Sequence, residues 1–251
     1  MFERDLNDRI LTLKLAHKKA SALDLELCDA LRGAIEEAAT DNAVGALILT
    51  GSGTIFSAGV DLPRMIESGN KYIQPFVESL DAALRALFLF PKPAVAAVNG
   101  HAIAGGAILA FACDYRIMCR GRIGVPELLV GVPFPPLALE IVRFAIPRQH
   151  IQSMVYLGRT IEAEEARAMG IIDEFVALED LPTRARVIAS QLAGVAPGPF
   201  QITKRQLREP FLHDAARIAG TSADTIDAIW AAKETHERIR VYLAKTIGKK
   251  G

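Results

Sequence analysis

The pattern of apolar and polar positions predicts an α/β core in the first half of the chain. Residues 9–15 (RILTLKL) alternate apolar and polar side chains, as a half-buried strand does, and residues 23–39 show the spacing of an amphipathic helix. The apolar run at 44–51 has the length of a strand covered on both faces. This order then repeats, with a helix at 71–90, a strand at 94–100, a helix at 105–113 and a strand at 115–119. Alternating strands and helices are typical of an α/β fold.

Beyond Pro133 the pattern becomes mainly helical. A cluster of Gly and Pro residues at 194–200 predicts a hinge, so we divide the chain into a core, residues 1–195, and a C-terminal helical region, residues 196–251. The elements predicted in this half are short helices over 136–170, one strand at 171–176 and further helices over 180–247.

Composition narrows the classes of partner. The 251 residues include 29 Lys plus Arg and 29 Asp plus Glu, so no net charge attracts nucleic acid or an anionic membrane. The N-terminus lacks a signal-peptide pattern, and no apolar run approaches the roughly 18–20 residues of a membrane span. Three cysteines without CxxC spacing predict neither a disulfide framework nor a zinc site. We expect a cytoplasmic protein whose partner is a small molecule or another subunit.

Two turns could direct backbone amides at an anion. Ala58 and Gly59 lie in the segment FSAGVDL (56–62), which follows a strand, and Gly105–Gly106 opens a helix although Gly costs about 0.5–1 kcal/mol relative to Ala inside one. The first-turn amides of a helix have no intrahelical acceptor, and the helix dipole adds positive potential there. Together the two turns could form an oxyanion hole; tight turns and close helix packing are the alternative interpretation.

Glu127 is the best candidate for a general base. It lies in the apolar, proline-rich segment IGVPELLVGVPFPP (123–136), where partial desolvation would raise the pKa of its carboxyl toward the range useful for proton transfer. A helix-capping or solvent-facing Glu is the alternative. His101, beside the glycine pair, could be a second acid or base, or could simply pack against a neighbouring helix.

These segments together resemble the crotonase, or enoyl-CoA hydratase/isomerase, superfamily over roughly residues 5–180. FSAGVDL resembles its first oxyanion segment, KPAVAAVNGHAIAGGAILAFACDYRIM its central strand and glycine-led helix, and IGVPELLVGVPFPP its catalytic-glutamate loop. The resemblance implies a spiral of repeated ββα units with a helical C-terminal region used in a homotrimer or a dimer of trimers. It also implies an acyl-CoA thioester substrate, with no metal and no permanently bound cofactor, since coenzyme A enters as part of the substrate.

The resemblance further assigns individual residues. The amides of Ala58 and Gly105 would hold the thioester oxygen while Glu127 moves a proton. We assign substrate binding to five further residues: Ser57, Asp61, Gly106, Ile108 and Phe134. By the local pattern alone, Asp61 also fits a helix cap and Phe134 a core position. The segment HKKASAL (17–23) departs from the family pattern near the expected CoA face, so no phosphate-binding residue is assigned.

Ile108 decides between the chemistries of this superfamily. Its hydratases carry a second glutamate at this position, and losing a general acid–base group typically costs about 10²–10⁴-fold. Moving a double bond from C3 to C2 needs only one carboxylate. We therefore predict a 3-enoyl-CoA to 2-enoyl-CoA isomerase with Glu127 as the single proton shuttle. The alternatives are a hydratase-like lyase, in which His101 or water replaces the missing acid, and a catalytically silent acyl-CoA-binding subunit.

Overall fold

The computed structural model describes residues 1–18 and 20–247. Its ten strands are β1 (Phe2–Asn7), β2 (Ile10–Leu15), β3 (Ala46–Thr50), β4 (Ile55–Ser57), β5 (Ala94–Val98), β6 (His101–Ile103), β7 (Tyr115–Met118), β8 (Arg122–Gly124), β9 (Thr160–Glu162) and β10 (Glu174–Phe175). Its eleven helices are α1 (Leu25–Thr40), α2 (Leu62–Ser68), α3 (Asn70–Phe88), α4 (Gly105–Ala112), α5 (Glu127–Val130), α6 (Pro136–Ala145), α7 (Arg148–Tyr156), α8 (Ala163–Ala168), α9 (Leu181–Ala193), α10 (Pro197–Ala231) and α11 (Lys233–Ile247).

The strands form two sheets that the chain visits in turn. The larger sheet has the order β1-β2-β3-β5-β7-β10 and is parallel except for the β1–β2 pair. The smaller sheet has the order β4-β6-β8-β9. Each of the pairs β3–β4, β5–β6 and β7–β8 therefore places one strand in each sheet and is followed by a helix. This confirms the predicted spiral of ββα units.

The alternation of side chains along the larger sheet separates two apolar layers. Leu47 and Leu49 of β3 face the main core, which also holds α1, α3 and α4, whereas Ala46 and Ile48 face a second cluster under α9. Because both faces of the larger sheet are covered, its central strands appear in the sequence as continuous apolar runs.

Asp114, two residues beyond the end of α4, attaches the long helix α10 to the core. Its carboxylate accepts bonds from the Ala94 amide at 2.8 Å, from Lys204 Nζ at 2.7 Å and from Arg208 Nη2 at 2.7 Å. Arg208 also donates to the carbonyls of Phe88 and Ala112. A helix that is polar over most of its surface is thus held by charge as well as by apolar contact.

Several predicted elements have different limits in the structure. The strand expected at 171–176 is reduced to β10, and β1 and the three-residue strands of the smaller sheet lack a sequence signal. The predicted hinge, residues 194–200, covers the connection between α9 and α10 and also the first turn of α10. Residues 248–251 of the predicted C-terminal region lie outside the described residues. No helix in the described part of the chain combines the length and apolar character needed to cross a membrane.

Candidate active site

The first turn lies where β4 ends and the chain passes through Ala58 and Gly59. Residues 20–24 run alongside it in parallel, and the Ala58 amide donates to the Ala20 carbonyl at 3.0 Å. Ala20 has a φ of 64°, in the left-handed region that non-glycine residues seldom adopt. The Ala58 amide can therefore hold a thioester oxygen only by sharing or releasing its bond to Ala20.

The second turn presents the N-terminus of α4. Ala104, the residue before the helix, has φ 53° and ψ −128°, a conformation that is strained for a residue with a side chain. Its amide is tied to the Gly124 carbonyl at 2.8 Å, which holds the turn against β8. The amide of Gly105 follows directly, in the first turn of the helix, where no intrahelical acceptor exists.

The two glycines of α4 are required for different reasons. A Cβ at Gly106 would lie 2.3 Å from the Ser57 carbonyl oxygen, so only Gly permits the close approach of α4 to β4. A Cβ at Gly105 would meet only the end of the Leu23 side chain, at 2.9 Å, and would stand beside the cavity. Gly106 therefore maintains packing, and Gly105 keeps the space over its own amide open.

We expect Gly106→Ala to lower the free energy of unfolding by about 1–3 kcal/mol, because backbone atoms cannot move aside as cheaply as a side chain. Gly105→Ala is the matched control: it should cost less stability and more activity, since its new methyl group would crowd the amide. Denaturant unfolding and kcat of both variants measure the two effects. Equal losses of stability would contradict the division of roles.

Glu127 begins α5, one residue after Pro126. The side chain is buried, and its Oε2 has no hydrogen-bond partner among the described residues. Burial raises the pKa of the Glu127 carboxyl to about 8, since desolvation disfavours the charged form, and a bond from the backbone opposes this only in part. A buried carboxyl that has one oxygen without a hydrogen-bond partner and a pKa near neutrality is suited to proton transfer.

One narrow cavity of about 70 Å³ joins these features. Ala58, Gly105, Ile108 and Glu127 all line it. The rest of its wall is mainly apolar, including Val60, Leu80, Leu84, Val130 and Val132. Glu127 is the only carboxylate among the described lining residues, so the cavity places one proton acceptor near two potential oxyanion donors in a desolvated space.

Four residues assigned to substrate binding make other contacts and do not line this cavity. Ser57 is buried and donates to the Ser21 carbonyl at 2.8 Å, and Asp61 caps α2 by accepting from the Arg64 amide at 3.1 Å. Gly106 packs on Ser57, as described above, and Phe134 is part of the main core.

His101 is exposed at the start of β6. Its Nδ1 accepts from the Arg122 amide at 3.2 Å. It is absent from the described lining of the cavity, so the structure does not bring it to Glu127.

Two residues of the basic segment, His17 and Lys18, contact an acidic residue, Asp24. Asp24 is fully buried and accepts from His17 Nε2 at 2.8 Å, from Lys18 Nζ at 2.6 Å and from Arg64 Nη1 at 3.1 Å. Burial alone would raise the pKa of Asp24, but the bonds from His17, Lys18 and the Leu27 amide outweigh it and lower the pKa to about 2. Lys19 lies outside the described residues. The side chains of His17 and Lys18 thus both contact Asp24.

Trp230 of α10 and Tyr242 of α11 also line the cavity, and the sequence did not point to either. They lie about a hundred residues beyond Glu127, in helices whose local pattern carries no catalytic motif. That Trp230 is the single Trp of the chain was the only available signal.

Comparisons with known proteins agree with this architecture. A family model described as Enoyl-CoA hydratase/isomerase matches residues 5–247. A putative enoyl-CoA hydratase of Thermus thermophilus is 34% identical over 76% of each chain. Among solved structures, an enoyl-CoA isomerase from Mycobacterium tuberculosis is 32% identical, with a TM-score of 0.78 over 92% of this chain and 97% of that one. The human mitochondrial delta3-delta2-enoyl-CoA isomerase, 24% identical, has the same fold, with a TM-score of 0.91 over 100% and 99% of the two chains.

Proposed function

Because this chain belongs to the enoyl-CoA hydratase/isomerase family, we propose that it moves the double bond of a 3-enoyl-CoA to the 2 position, with Glu127 as the single proton shuttle. The observation that carries the proposal is the acid–base content of the cavity. Glu127 is its one described carboxylate, and Ile108, where hydratases of the family carry their second glutamate, is an apolar part of the wall. Isomerisation is the family reaction that one carboxylate can complete.

The reaction begins when the Glu127 carboxylate removes a proton from C2. The electron pair of the C2–H bond then becomes part of a dienolate, whose negative charge lies largely on the thioester oxygen. The amides of Gly105 and Ala58 donate to that oxygen, and one such donor typically contributes about 2.7–4 kcal/mol to transition-state stabilisation. The protonated Glu127 returns its proton to C4, which leaves the double bond between C2 and C3 and restores the carboxylate.

The use of Ala58 requires a local change in the structure. Its amide is bonded to Ala20, whereas the amide of Gly105 begins a helix and needs no such exchange. Binding of the thioester oxygen would therefore replace or share the Ala20 acceptor. The left-handed conformation of Ala20 lowers the cost of releasing that contact, because strain is relieved when the segment moves.

A hydratase is the second candidate, and the name of the Thermus thermophilus relative favours it. Addition of water to a 2-enoyl-CoA needs a positioned water molecule and a proton delivered to the α-carbon. With Ile108 in the wall, Glu127 would have to perform both tasks.

The predicted homotrimer or dimer of trimers and the cytoplasmic location remain predictions.

The experiment offers the purified protein 3-hexenoyl-CoA and, separately, 2-hexenoyl-CoA, and separates the products by chromatography. We expect rapid conversion of the first to 2-hexenoyl-CoA and little hydration of the second. Hydration of 2-hexenoyl-CoA at or above the rate of isomerisation would favour the hydratase. Binding of both thioesters without turnover would favour the catalytically silent subunit.

A further inference from the structure

Trp230, a lining residue of the cavity, carries a polar group that the proposed reaction does not use. The residue is only 4% exposed. Its indole Nε1 is shielded from solvent and has no acceptor among the described residues. Buried indole N–H groups usually have a partner, and a donor left without one is costly. The Trp230 indole N–H is therefore a buried donor that can bind an acceptor on a ligand.

The other groups of the cavity restrict what that acceptor can be. The described lining includes no Lys, Arg or His, so nothing there neutralises a second negative charge, and burying an unpaired carboxylate beside Glu127 would be unfavourable. Glu127 transfers the proton in the proposed reaction, so it cannot also accept a hydrogen bond from a hydroxyl group of the substrate. A carbonyl oxygen suits the site best, since it accepts a hydrogen bond and brings no proton that needs an acceptor.

The size of the cavity limits the chain that carries this oxygen. At about 70 Å³ it is roughly half the volume of an engineered apolar cavity of about 150 Å³ that admits benzene. An unbranched acyl chain therefore needs the smallest movement of the walls, and a branched or aromatic group needs a larger one.

We propose that the Trp230 indole N–H faces this cavity and selects short, unbranched acyl-CoA substrates that carry a keto oxygen beyond C4. The proposal rests on the proposed function, because it takes the cavity to be the acyl site and reserves C2 to C4 for Glu127. Trp230 acts here as a specificity-determining residue: it recognises the far end of the acyl group and takes no part in proton transfer.

The test measures binding of three saturated thioesters by calorimetry, so that its outcome does not depend on turnover. Hexanoyl-CoA is the reference, 5-oxohexanoyl-CoA adds the keto oxygen, and adipoyl-CoA ends in a carboxylate at the same chain length. We expect 5-oxohexanoyl-CoA to bind at least threefold and up to about tenfold more tightly than hexanoyl-CoA, the effect of one net hydrogen bond, and adipoyl-CoA to bind more weakly than either. A ratio below threefold, or tightest binding of adipoyl-CoA, would overturn the proposal.

Trp230→Phe removes the N–H and keeps an aromatic ring. In this variant the ratio between 5-oxohexanoyl-CoA and hexanoyl-CoA should fall to about one, and an unchanged ratio would overturn the role of Trp230. If the variant does not fold, the relative affinities of the unaltered protein for the three thioesters still test whether the pocket prefers a keto oxygen. Preferential binding of the keto compound without isomerisation of 3-hexenoyl-CoA would support the assignment of the pocket and reject the proposed reaction. Failure of all three thioesters to bind would overturn both the assignment of the pocket and the proposed reaction.

Discussion

Glu127→Gln is expected to lower kcat for the isomerisation of 3-hexenoyl-CoA by about 10²–10⁴-fold. The amide has nearly the shape of the carboxyl group, so the cavity keeps its form, but it cannot take a proton from C2. No second carboxylate lines the described cavity to replace it. Steady-state kinetics with product separation measures the loss, and binding of hexanoyl-CoA to the variant shows that the site remains intact.

Glu140→Gln is the matched control for this substitution. Glu140 is another fully buried glutamate, but it lies on α6 outside the cavity and accepts from Arg143 Nη1 at 2.6 Å. We expect this variant to keep its kcat. Wild-type kcat in Glu127→Gln would reject the single-base mechanism, and equal losses in both variants would point to a general effect of altering a buried glutamate.

The pH dependence of the reaction follows from the protonation of Glu127. The residue must be a carboxylate to accept the C2 proton, and its pKa in the free protein is raised to about 8 by burial. The kcat/KM of the unaltered protein should therefore increase with pH and level off above about pH 8. A profile that is flat from pH 6 to pH 9 would indicate that a different group limits the reaction.

The same raised pKa makes the folded protein less stable at high pH. The unfolded chain releases the Glu127 proton near pH 4.5, whereas the folded chain retains it to about pH 8. The stabilisation associated with the neutral carboxyl is thus complete below pH 4.5 and is lost as the pH rises toward 8, by about 1.4 kcal/mol per pH unit. Since Gln carries no charge, Glu127→Gln should become progressively more stable than the unaltered protein over this range.

The sequence was sufficient to predict the units of the fold and four residues that the structure brings to one cavity. The strands β3 and β5 are buried on both faces and appear as plain apolar runs, and α4 begins at the predicted glycine pair. Ala58, Gly105, Ile108 and Glu127 lie in three separate segments, yet the spiral brings all four to one cavity. Their spacing was informative because each segment ends a strand or begins a helix of the repeated unit.

The remaining features depend on contacts between distant segments. The bond between Ala58 and Ala20 arises from parallel pairing of two loops, which no apolar period encodes. Ser57 lies next to Ala58, but its side chain turns into the interior and donates to the Ser21 carbonyl, a contact that no local pattern indicates. Trp230 reaches the cavity because α10 packs against α6 and α3. That helix is anchored partly by Lys204 and Arg208, which a hydrophobic pattern treats as exposed.

Asp114→Asn is expected to lower the free energy of unfolding by about 3–5 kcal/mol, the cost of breaking a buried ion pair by removing one partner. Asp114 faces two cations: Arg208, which is 2% exposed, and Lys204, which is also buried. Desolvation lowers the pKa of Lys204 to about 8 even with Asp114 present, so this amine can lose its proton when the carboxylate is gone. Arg208 remains charged, and its burial accounts for most of the expected loss.

Urea unfolding at pH 7 measures this loss, and Glu209→Gln on the same helix is the control. Glu209 pairs with Arg205 at 3.9 Å on the exposed side of α10, where a salt bridge contributes about 0–1 kcal/mol. If Asp114 stabilises the fold partly through Lys204, Asp114→Asn combined with Lys204→Met should cost clearly less than the sum of the two single variants, because both single variants lose the same Lys204–Asp114 ion pair. Additive losses would mean that this pair contributes little and that Asp114 acts mainly through Arg208 and the Ala94 amide.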